Sequence, residues 1–73
     1  MTTSSSFKPW RVVITDGGVD TPTDHRTSQA AYDHVVAERE AIAAGRSAAT
    51  AIRIHVWSDG DWSLYELAYT AGH

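Results

Sequence analysis

An α+β fold, one helix packed on one face of a three- to four-stranded and mainly antiparallel sheet, is predicted by three observations. Asp59-Gly60 sits between two alternating runs, AIRIHVW and DWSLYELAY, and marks a β-hairpin with a two-residue turn. WRVVIT, near the start, alternates in the same way. Between them QAAYDHVVAEREAIAA has helix-forming composition and helical spacing. The predicted order is ββαββ. At 73 residues the chain has room for one small domain. Its expected bounds are residues 8–70, between a flexible N-terminal tail over residues 1–7 and a short C-terminal tail over 71–73.

Taken in order, residues 1–6 are Met, Thr and Ser and should be mobile. Pro9 cannot donate to a sheet ladder, so the first strand starts beside it and covers Trp10–Thr15. Trp10, Val12 and Ile14 then share one face, and Arg11, Val13 and Thr15 the other. Asp16-Gly17-Gly18 is a turn signal. Residues 19–24 read either as a short returning strand, which Pro22 would confine to a sheet edge, or as plain loop; the strand is preferred, because an unstructured segment of that length is unusual in so small a domain. Thr27 or Ser28 supplies the helix N-cap oxygen, and Gly45 is the natural residue to close the C-terminus. Ala31, Tyr32, Val35, Val36, Ile42 and Ala43 form one arc of the helix, with Arg39 inside it and its guanidinium at the rim.

With Asp59 and Gly60 in the loop, Trp57 faces Trp62, His55 faces Leu64, Ile54 faces Tyr65, Arg53 faces Glu66 and Ile52 faces Leu67. This register collects Ile52, Ile54, Val56, Tyr65 and Leu67 on a core face. Arg53, His55, Trp57, Trp62, Leu64 and Glu66 fall on the other, where the indole pair and the opposite charges favour the same alignment. Strand order 2-1-3-4 is expected, with 2-1-4-3 the alternative. One helix covers one sheet face, so the tryptophan face is left without an internal partner.

Composition narrows the function. The chain lacks cysteine, which excludes disulfides, thiolate metal sites and cysteine nucleophiles. The formal net charge of −3 offers little to phosphate backbones. No apolar run is long enough to span a bilayer, and the N-terminus lacks the basic start and apolar core of a signal peptide. A cytoplasmic location is expected, without membrane association.

WRVVIT, then HRTSQAAYDHV, then IRIHVWSDGDWSLYE together resemble small uncharacterised proteins encoded by actinobacterial phages. The resemblance spans residues 10–66. It implies a phage or actinobacterial accessory factor, placed in the host cell cytoplasm if phage-encoded, that acts by binding another protein. No catalytic residues come with it.

The candidate partner-binding residues are Trp57, Trp62, His55, Leu64 and Arg53, since aromatic and arginine side chains on an uncovered face resemble interface anchors. They would bind a protein partner or, in a homodimer, a second copy. The runner-up is a nucleic-acid module that stacks bases on the same face, against which the net charge and Glu66 both count. His34 and Glu38 lie one helical turn apart without a third ligand, and Asp16, Asp20 and Asp24 lack the order of a calcium loop, so no metal is expected. Asp24-His25 and Asp33-His34 have no nucleophile in a recognisable elbow, and no phosphate loop is present. A non-enzymatic protein without a cofactor is the expectation.

Overall fold

The computed structural model describes residues 8–71. The N-terminal tail expected over 1–7 and the last two residues lie outside that span. Ala71, assigned to the C-terminal tail, still donates its N–H to the Thr50 carbonyl at 2.8 Å, so the sheet is tied down to its end.

The elements are β1 (Trp10–Asp16), β2 (Val19–His25), α1 (Ser28–Ala43), β3 (Ala51–Ser58) and β4 (Asp61–Thr70). They build one four-stranded sheet in the order β2-β1-β3-β4. Every neighbouring pair is antiparallel. The α1 crossover therefore carries the chain over β1. The first turn uses Gly17 and Gly18 at φ 62 and 83, the positive values that a two-residue hairpin loop requires. β2 lies at an edge, where Pro22 is tolerated because one side of the strand has no ladder to feed.

α1 is closed at both ends by local chemistry. Thr27 Oγ1 accepts from the Ala30 N–H at 3.1 Å. At the other end Gly45, at φ 78, donates to the Ile42 carbonyl at 3.1 Å, and Arg46 donates to Ala41 at 2.8 Å. These crossed bonds satisfy carbonyls the helix would otherwise leave open.

The core is Val12, Ala31, Val35, Ile52 and Ile54, bordered by Trp10, Ile14, Tyr32, Ile42, Ala68 and Tyr69. The helix arc is narrower than its spacing suggests. Val36, Arg39 and Ala43 lie on a flank of α1 outside the core, where they and Glu40 line a shallow cavity of about 280 Å³. The helix sits nearest β1 and β2, so the sheet does not cover that flank.

The β3–β4 hairpin turns on Asp59 and Gly60 at φ 55 and 81, the type I′ arrangement. From Ser58–Asp61 to His55–Leu64 the register is the expected one. Beyond that point two bulges intervene. Ile54 faces Glu66, Arg53 faces Leu67 and Ile52 faces Tyr69. Glu66 is thereby turned to the helix side, and Leu67 leaves the core face for the open one. The gain on the helix side is polar and aromatic. The Tyr32 hydroxyl donates to the Glu66 carboxylate, and Tyr65 meets Trp10 edge-to-face at 5.0 Å. Ala68 and Tyr69 take the place under the core that Leu67 was expected to fill.

Candidate binding face

The sheet face opposite α1 is built by residues that oppose one another across the four strands. Asp24, Arg11, His55 and Leu64 form one row. Pro22, Val13, Arg53 and Leu67 form the next. Trp57 and Trp62 cap the face at the hairpin end. Directly opposed residues point the same way in an antiparallel sheet, so these rows make one continuous surface. The structure brings together Trp57, Trp62, His55, Leu64 and Arg53, and adds Leu67, Arg11 and Val13. Arg11 and Val13 were legible on this face from the alternation of β1. Leu67 was not, because only the bulges put it there.

The two indoles meet edge-to-face, with ring centres 5.3 Å apart and planes inclined at 70°. This is a favoured geometry for aromatic pairs. The Arg11 guanidinium lies 4.1 Å from the centre of the Trp62 ring, a cation–π contact. Trp62 is half-buried under that cover. The apolar exposure therefore moves along β4 to Leu64 and Leu67, which are 58% and 52% accessible.

Charges on the face are organised from β2. Asp24 receives Nε of Arg11 at 2.7 Å and Nη2 at 3.2 Å, a two-pronged pair that also holds the guanidinium over Trp62. These bonds keep the Asp24 carboxyl below its ordinary range. Asp20 accepts from Thr15 Oγ1 at 2.6 Å. Arg53, expected against Glu66, instead reaches Thr15 Oγ1 at 3.4 Å, at the long end of a hydrogen bond, because Glu66 is on the other side of the sheet. Two arginines and two aspartates share the face, so its formal charge cancels.

The other sequence candidates separate. Glu38 accepts from Ser47 rather than meeting His34. Asp20 and Asp24 serve Thr15 and Arg11. Among the described residues no three imidazole or carboxylate groups converge. His34 lies instead against His25, on the helix side, a pairing the sequence separation conceals. No helix among the described residues is long and apolar enough to cross a membrane. No family model, curated protein or solved structure matches the chain.

Proposed function

We propose that this is a small non-enzymatic interaction protein whose open sheet face pairs with a second copy of the chain. The observation that carries the reading is the apolar strip Trp57, Trp62, Leu64 and Leu67 on a face that α1 does not cover. The electroneutrality of the face favours a like copy over a polyanion: a groove for single strands needs a positive track, and Arg11 is already neutralised by Asp24.

Size supports the use of the whole face. Four strands about 4.8 Å apart and roughly seven residues long at about 3.3 Å each span roughly 20 by 23 Å. That footprint of about 460 Å² is smaller than the roughly 800 Å² per partner of a standard interface, so a dimer would have to use the whole face together with its rim. Two-fold pairing of one patch is the commonest assembly of soluble chains. In the actinobacterial or phage setting that the sequence resembles, such a dimer would be a cytoplasmic accessory factor. A host protein docked on the same strip is the competing outcome.

Sedimentation of the wild type at rising concentration should show a dimer. Trp57→Ser with Trp62→Thr should return it to a monomer with an unchanged far-ultraviolet spectrum. Leu64→Lys with Leu67→Lys, at exposed positions that leave the indole pair intact, should do the same. A wild type that stays monomeric at high concentration overturns the dimer.

A further inference from the structure

On the side of the sheet away from the binding face, β2 ends at His25, which opposes Trp10 and so points toward α1. The His34 ring, on α1, lies 5.3 Å from the His25 ring, with planes inclined at 39°. Thr23 Oγ1 is 3.1 Å from Nε2 of His25. Nε2 of His34 is buried and has no hydrogen-bond partner among the described residues. We propose that the two imidazoles form an acid-sensitive clasp between α1 and β2, closed while both rings are neutral and opened when they take up protons.

The surrounding charges do little to rescue a protonated pair. On β2, Asp24 points to the opposite face and is held by Arg11. On α1, Asp33 accepts from Gln29 Nε2 at 3.0 Å, and Glu38 accepts from Ser47. Ahead of β1, Lys8 adds a like charge near His25. A proton on either ring therefore places a charge beside a second imidazole, in a seam where the neighbouring carboxylates are engaged elsewhere.

Burial, and then the His34 ring, hold the His25 imidazole below its ordinary value of 6.5, against a smaller opposite pull from Asp24. A folded value below the unfolded one means that the unfolded or opened chain binds more protons in the interval between them. The contribution of the clasp is complete above about pH 6.5 and is lost as pH falls through the folded value. β2 is the element to respond, because it is an edge strand held by β1 on one side and by the helix seam above.

Amide hydrogen exchange with the full chain, corrected for intrinsic rates, tests this between pH 7.5 and pH 5. Protection in β2 should fall several-fold relative to β3 as the pH drops, because the opened strand takes up protons more readily than the closed one. His34→Gln and His25→Gln should each flatten that dependence. If a variant fails to fold, carbon-13 titration of the wild-type His25 imidazole decides alone: the clasp requires it to titrate below its ordinary value. A His25 ring that titrates at its ordinary value, or β2 protection that falls equally in wild type and variants, overturns it. Either result leaves the dimer proposal untouched, because the clasp shares no residue with the open face.

Discussion

The Tyr32 hydroxyl donates to the Glu66 carboxylate across the gap between α1 and β4, a contact that exists only because the first bulge turns Glu66 inward. The bond and the negative charge disfavour phenolate, and the Tyr32 hydroxyl is pushed up to about 12. Its folded value lies above the unfolded one, so what the pair contributes is intact below pH 10 and is lost as pH rises toward the folded value. Glu66 is exposed and Tyr32 only half-buried, so ionisation is a better readout than stability. Glu66→Gln should bring the Tyr32 titration, followed by ring carbon shifts, back toward the ordinary tyrosine value. A Tyr32 titration that does not move with that substitution would place Glu66 on the other face and restore the unbulged register. Arg53 shows the reverse side of the same event. Its expected carboxylate has been taken to the helix side, leaving a half-buried guanidinium between Val13 and Leu67 with one long contact to Thr15. A partner docked on this face meets that cation at the centre of its footprint.

At the scale of elements, the β3–β4 hairpin divides into a part set by local chemistry and a part set by distant contacts. Asp59-Gly60 demands positive φ at two consecutive residues, and few dipeptides do so as cheaply. The turn and the pairs next to it, through His55–Leu64, were legible for that reason. Gly60→Val tests the turn. Gly60 lies at φ 81, and a β-branched side chain there should cost at least about 1–2 kcal/mol in denaturant unfolding. Gly60→Asn should recover most of the loss, because Asn tolerates the left-handed region. A Val variant as stable as wild type would mean that the turn type is wrong. The helix caps were legible on the same local grounds. Thr27 and Gly45 act through bonds to residues three to five positions away. The bulges in β4 were not. DWSLYELAY alternates well enough for a straight strand, and what breaks the alternation is Tyr32 on α1 and Trp10 on β1, neither adjacent in sequence. The breadth of the helix arc failed for a similar reason. Periodicity shows which residues share a side of α1, but not that the helix lies over β1 and β2 rather than over the middle of the sheet.

For the molecule as a whole, the position of Ile54 ties these parts together. It is fully buried on β3, opposite Val12 on one side and Glu66 on the other, beneath the helix. A domain over residues 8–70 holds roughly 3–9 kcal/mol of stability at about 0.05–0.15 kcal/mol per residue. Replacing a buried isoleucine with alanine costs about 2–5 kcal/mol, part from lost transfer and part from the cavity left behind. Ile54→Ala should therefore remove a large share of the total, with helix and sheet probes still melting together if the domain unfolds as one unit. A loss below about half a kcal/mol would show that the core lies elsewhere, since a core truncation costs several times that. The same strand carries His55 and Trp57 on its other face, so the core and the proposed dimer share a backbone. A partner that binds only the folded chain adds stability by mass action, and the midpoint of a true dimer rises with protein concentration. Ile54→Ala should make that dependence easier to see, because the weakened monomer leans more on its second copy. A midpoint that stays constant with concentration in both wild type and Ile54→Ala would confine the stability of the fold to the single chain and leave the open face to a different partner.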